Sequence, residues 1–139
     1  MREVQSLLAP SEFVSRAMAA PGIPWVRWRS DWAACDCFGL IVLWFREVLG
    51  VELGDVPETE IAAGFAQASG WEECGAEEGA TAWMAWRDGA PTHCGILLRG
   101  AMLLHSEASP HGGGGVRLTR LSAAERVYGP LRFYRYSPC

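Results

Sequence analysis

Apolar residues run almost all the way round a helix from Phe38 to Leu49. Phe38, Leu40, Ile41, Leu43, Trp44, Phe45, Val48 and Leu49 leave only Arg46 and Glu47 for solvent. A helix apolar on every side is buried. Gly50 stands where a left-handed backbone ends a last turn, and Asp36 is a favoured cap residue at the start. The pattern therefore predicts a central helix with Cys37 at its N-terminal tip. Upstream, Val4, Leu7, Leu8, Phe13, Val14, Ala17 and Met18 recur at helical spacing, and Pro10-Ser11-Glu12 marks a second start. This predicts one interrupted or two short helices. Pro21 to Trp25 is expected to be extended, and Val26 to Trp32 a loop leading to Cys37.

Beyond Gly50, Val51 to Pro57 reads as a connector. Glu58 to Ser69 reads as an amphipathic helix with Ile61, Phe65 and Ala68 inward, ended by Gly70. Glu72, Glu73, Glu77 and Glu78 are expected on a solvated surface. Strands follow at Thr81–Trp86, closed by Asp88-Gly89, at His93–Leu98 and at Ala101–Ser106. Pro110 to Gly115 reads as a mobile glycine loop with His111 solvated. A strand over Val116–Leu121, a short turn or helix over Ser122–Val127, and a closing strand over Leu131–Tyr136 complete the chain. Helices first and then about four antiparallel strands make an α+β layout.

The turn near Arg99-Gly100 decides whether His93 and His105 can meet, because a one-residue slip sends opposed side chains to opposite faces. A two-residue loop would pair Cys94 with His105. A three-residue loop, Leu98-Arg99-Gly100 with Gly100 left-handed, would set His93 directly opposite His105. The glycine favours the second.

Composition narrows the function classes. With 139 residues, half of them apolar, the chain builds one domain over 1–139. Residues 1–20 are either part of it or an N-terminal helical extension. A net charge of −4 and twelve basic residues with no lysine among them argue against nucleic acid as a partner. No apolar run approaches the roughly 18 residues of a membrane span, and the first twenty residues are unlike a secretory signal. Five irregularly spaced cysteines suit a reduced protein with a free thiol.

Cys37, His93 and His105 supply the parts of a cysteine peptidase. The helix tip favours the thiolate, His93 holds or donates the proton, and His105 orients the His93 imidazole. The Cys37 N–H at the tip would stabilise the tetrahedral oxyanion. A zinc site from Cys35, Cys37, His93 and Cys94 is the poorer fit. Adjacent strand residues point to opposite faces, and Cys-x-Cys is not a usual zinc spacing.

The order Asp36-Cys37-Phe38-Gly39-Leu40, His93-Cys94-Gly95-Ile96-Leu97 and Leu104-His105-Ser106 resembles the NlpC-type papain-like cell-wall peptidases, and the twelve-residue step between the histidines matches too. Pro21 to Trp25, Gly113 to Leu118 and Leu131 to Arg135 look most like the short versions of tailed phages and gene transfer agents. The resemblance implies a papain-like fold in which the nucleophile helix packs on an antiparallel sheet. It implies cleavage of peptidoglycan stem peptides, typically between D-glutamate and diaminopimelate, with no metal or cofactor. It also implies a place at the virion tail tip beside hub and distal tail proteins. Trp25 falls where a tyrosine often supports the oxyanion site, so Trp25 and Asp36 are the expected substrate and oxyanion supports. Phe38 stands where the family usually has serine. A tail-tip subunit of the same fold whose role is structural is the alternative, and the complete Cys37, His93, His105 set argues against it.

Overall fold

The computed structural model of the protein describes residues 7–53, 70–77, 80–109 and 114–136. The helix expected over Glu58–Ser69, together with Val4, His111 and most of the glycine loop, lies outside them.

The apolar helix forms as α2, Cys37–Trp44, with every residue buried. Its continuation is wider than expected. Phe45–Leu49 makes a π-helical turn in which the Gly50 N–H bonds the Phe45 carbonyl, and Gly50 takes φ 68° and ψ 24°. The Val51 N–H donates to the same carbonyl at 2.9 Å. A π turn changes the angular position of its side chains relative to an ideal helix. Here Glu47 Oε1 accepts the Trp32 indole N–H at 3.0 Å.

Upstream, only α1, Pro10–Met18, is helical among the described residues. Proline is tolerated at a first helical position, where its missing N–H would be unsatisfied anyway. Phe13 and Ala17 face inward, and the Phe13 ring meets Trp44 edge-on at 5.0 Å. Met18, expected inward, is 42% exposed. The loop expected over Val26–Trp32 contains part of a small hairpin, β1 (Ser30–Asp31) with β2 (Ala34–Cys35). The Asp31 carboxylate closes it by accepting the Ala33 and Ala34 N–H groups.

The main sheet has six strands among the described residues, rather than about four. They are β3 (Trp71–Cys74), β4 (Ala82–Arg87), β5 (Ala90–Leu98), β6 (Met102–Ala108), β7 (Gly114–Arg120) and β8 (Leu131–Tyr136). The order is β3-β8-β4-β5-β6-β7, with every pair antiparallel. β3 arises where no strand was expected, and β7 begins ahead of the expected Val116. Glu72 and Glu73 are solvated as anticipated but lie on β3, where Trp71 packs on Phe45 and Tyr136. Charges on a short strand blunt its pairing with other chains. Gly114 and Gly115 belong to β7 because bare backbone fits there: a Cβ would fall 2.2 Å from the Glu107 carbonyl oxygen at Gly114, and 2.9 Å from that of Ile23 at Gly115.

One face of the sheet presents Ala82, Met84, Cys94, Ile96 and Leu104 to α2. The other packs Trp83, Ala85 and Leu103 against α3, Leu121–Tyr128, through Ala124. The β5–β6 loop has three residues, but Arg99-Gly100-Ala101 rather than Leu98-Arg99-Gly100. Leu98 pairs with Met102, Leu97 with Leu103 and Ile96 with Leu104. Gly100 and Ala101 both have positive φ, and the Ala101 carbonyl accepts the Leu121 N–H at 2.9 Å. This register opposes the fully buried Ile96 and Leu104 beneath α2. His93 is therefore not directly opposite His105. The loop is still odd in length, so the two histidines share a face as diagonal neighbours.

Candidate active site

Cys37 opens α2 and is 6% exposed. Its tip is held by Asp36, whose buried carboxylate accepts the Gly39 N–H at 2.6 Å through one oxygen and the Trp28 N–H through the other. Gly39 permits the segment just before β1 to lie across this turn, since a Cβ there would fall 1.8 Å from the Arg29 carbonyl oxygen. Burial pushes the Asp36 carboxyl up to about 6, against the two hydrogen bonds that favour its charge. Both oxygens are thus committed to backbone, so Asp36 sets the tip rather than facing a substrate.

The Cys37 thiol sits well below the ordinary value of 9.0. The largest cause is a hydrogen bond from the Cys94 thiol, followed, against the desolvation of burial, by a hydrogen bond and charge from His93 and by the Phe38 N–H. Cys94 is correspondingly pushed up, first by burial and then by the Cys37 charge it donates to. His93 and Cys94, expected to point to opposite faces and so not to share a zinc ion, both reach Cys37. The β4–β5 register shifts between Ala85, paired with His93, and Trp86, paired with Pro91. The unmatched Thr92 bends the strand, and such bulges re-aim the side chains beside them.

His93 Nε2 lies 3.0 Å from His105 Nδ1, and His105 Nε2 lies 2.9 Å from Thr119 Oγ1. The nitrogen left to face Cys37 is His93 Nδ1. The His105 ring is 1% exposed, and burial, then the neighbouring His93 charge, holds it down to about 4. It is neutral at neutral pH. Trp83 meets both rings edge-on at 5.3 and 5.5 Å, and Tyr128, whose hydroxyl donates to Glu107 at 2.7 Å, lies 5.2 Å from His93. These contacts fix the imidazole planes on the α3 side of the sheet.

The structure therefore brings Cys37, His93 and His105 together. Trp25 is held by its backbone, bridged to Cys35 and donating its N–H to the Gly114 carbonyl at 3.3 Å. Cys35 is buried two residues before Cys37, and its thiol is raised to about 12, chiefly by burial. Sequence patterning missed Thr119, Tyr128 and the donor role of Cys94. Cys94 was adjacent to His93, and it reaches Cys37 because it faces α2 in regular register with Met84. Thr119 could be found only from the β6–β7 register. Among the described residues, no group of three or more His, Cys, Asp or Glu side chains is arranged to hold a metal ion.

A model of the NlpC/P60 family matches residues 22–125. The chain is 35% identical to the tail tip assembly protein K of Escherichia phage N15 over an alignment of 97 residues, covering 56% of this chain and 40% of that protein. It thus spans well under half of that relative's length. Among solved structures, the NlpC/p60 domain of the peptidoglycan hydrolase SagA superposes with a TM-score of 0.56 at 18% identity, over 91% of this chain and 98% of that one. That likeness shows the expected α+β, papain-like fold.

Proposed function

The chain belongs to the NlpC/P60 family, and from that premise we propose that it is a cysteine peptidase that hydrolyses peptidoglycan stem peptides. The observation that carries this reading is the placement of His93 between the Cys37 thiol and His105 Nδ1. The Cys37 thiolate attacks an amide carbonyl carbon while His93 is the imidazolium. The oxyanion forms at the helix tip, where the Cys37 N–H donates to it. His93 then gives its Nδ1 proton to the departing amine, leaving a thioester. Water, deprotonated by the now neutral His93, attacks that thioester and frees Cys37. His105 accepts from His93 Nε2–H throughout and keeps the ring aimed.

The bond between D-glutamate and diaminopimelate is the one the family resemblance suggests. Similarity to a phage tail tip assembly protein supports a place at a virion tail tip, with hub and distal tail proteins as partners. Digestion of purified peptidoglycan by wild type and by Cys37→Ala, with fragments read by mass spectrometry, tests the chemistry. Fragments ending in D-glutamate that vanish in the variant are expected. An intact wall with both proteins, and no reaction of Cys37 with a thiol-directed probe at neutral pH, would leave the structural tail subunit as the better reading.

A further inference from the structure

We propose that Thr119 is a positioning residue, whose Oγ1 keeps His105 in the tautomer protonated at Nε2 so that Nδ1 can accept from His93. This deepens the peptidase reading and rests on it for its consequence in catalysis.

Only one hydrogen fits between His93 Nε2 and His105 Nδ1 at 3.0 Å. When His93 is the imidazolium partner of the Cys37 thiolate, both of its nitrogens carry hydrogen, so His105 Nδ1 must be bare. A neutral imidazole then has its hydrogen on Nε2. That N–H needs an acceptor, because His105 is 1% exposed and cannot turn to bulk water. Thr119 Oγ1 is 2.9 Å away. A hydroxyl accepts as readily as it donates, so it can follow the proton state of the pair.

The opposite tautomer shows what is at stake. With hydrogen on His105 Nδ1, two N–H groups would face each other whenever His93 is charged, and the thiolate–imidazolium pair would be disfavoured. The neighbouring rings offer no substitute acceptor among the described residues. Trp83 meets His105 edge-on at 5.5 Å and Tyr128 at 6.1 Å, with the Tyr128 hydroxyl bonded to Glu107. The titratable and charged groups around the ring are His93 on β5, Glu107 on β6, Arg117 on β7 and Tyr128 on α3. Thr119 reaches it because Leu103 pairs with Thr119 and His105 with Arg117, which sets Thr119 diagonally beside His105.

The test uses the full chain labelled with 15N, as wild type, Thr119→Ser and Thr119→Val. Long-range proton–nitrogen NMR correlations assign the His105 tautomer, and iodoacetamide alkylation against pH reports the Cys37 thiolate. Wild type and Thr119→Ser are expected to show the Nε2–H form and the same alkylation profile. Thr119→Val, equal in shape but without an acceptor, is expected to lose that form. Its alkylation midpoint should rise by about one pH unit, and kcat on a stem peptide should fall about 10-fold to 100-fold with KM little changed. If Thr119→Val does not fold, Thr119→Ala gives the same readouts. A valine or alanine variant that keeps the Nε2–H tautomer and the wild-type alkylation profile overturns the proposal. A wild type with the expected tautomer and thiolate but no cleavage of any stem peptide refutes the peptidase reading instead, and leaves Thr119's positioning of His105 standing.

Discussion

His105 occupies the space that a side chain at Gly95 would need. A Cβ at Gly95 would lie 3.0 Å from His105 Cβ, 2.8 Å from the Trp83 indole nitrogen and 2.4 Å from the Leu104 carbonyl oxygen. The last of these is backbone of the adjoining strand and cannot swing aside. The absence of a side chain at Gly95 is thus what lets His105 come diagonally alongside His93.

Gly95→Ala is therefore expected to lower stability by about 1–3 kcal/mol through overpacking. It should also cut stem-peptide cleavage by about 100-fold, because a shift of about 1 Å in the pair is enough for that loss. Urea unfolding and a cleavage assay measure the two effects. Full activity in a destabilised Gly95→Ala protein would mean that the histidine pair tolerates displacement.

Cys94 offers a second handle, since its thiol is the largest influence lowering Cys37. In Cys94→Ala that donor is gone, and the Cys37 thiolate should form only at higher pH. Alkylation of Cys37 should slow most near pH 6 and approach the wild-type rate in alkali. Cys94→Ser keeps a donor and should stay near wild type. Equal profiles for the alanine variant and wild type would refute the assignment and leave His93 as the principal cause.

Asp36 makes a prediction about stability and pH. Its carboxyl is raised, first by burial, to about 6 from 3.8. The folded state therefore holds this proton more tightly than the unfolded chain does. The resulting stability is fully present below 3.8 and is lost as pH rises through about 6. Asp36→Asn has no such proton and loses one of the two backbone acceptors, at a cost of about 1–3 kcal/mol. Wild type should thus exceed the variant by more at pH 4.5 than at pH 7 in urea unfolding, and a gap that widens toward neutral pH would contradict the burial argument.

Much of this was legible in the chain. The unbroken apolar run from Phe38 identified α2, Asp36 and Gly50 marked its ends, and the alternation from Leu131 to Tyr136 gave β8 at its observed bounds. What escaped depends on partners distant in sequence. Trp71–Cys74 is a strand because β8 pairs with it and Phe45 receives Trp71, and nothing within four residues announces either. The His93–His105 contact was expected from an odd loop. The loop began one residue later because the burial of Ile96 opposite Leu104 and the Leu121 bond to Ala101 outweighed the placing of Gly100 at its last position. Face parity survived that shift, which is why the two histidines still meet although the register differs from the expected one. Thr119 was invisible because its place beside His105 depends on the β6–β7 register.

The neutral state of His105 gives a last expectation, in which acid acts on fold and site together. Burial and then the His93 charge lower this imidazole to about 4 from 6.5. The unfolded chain thus takes up the proton first, so the stability that His105 contributes is present above 6.5 and is lost as pH falls toward about 4. Protonation also removes the lone pair on Nδ1 that accepts from His93. His105→Asn keeps a carbonyl acceptor for His93 without a titrating group, whereas His105→Leu keeps only the bulk. The asparagine variant should retain most of the activity and lose less stability than wild type between pH 6.5 and 4.5. The leucine variant should lose about 100-fold or more in kcat while remaining folded. Urea midpoints at pH 7, 5.5 and 4.5, with cleavage rates at neutral pH, separate these outcomes. If His105→Leu cleaves as well as His105→Asn, then acceptance of the His93 hydrogen is not what His105 supplies, and only its packing against Trp83 would matter.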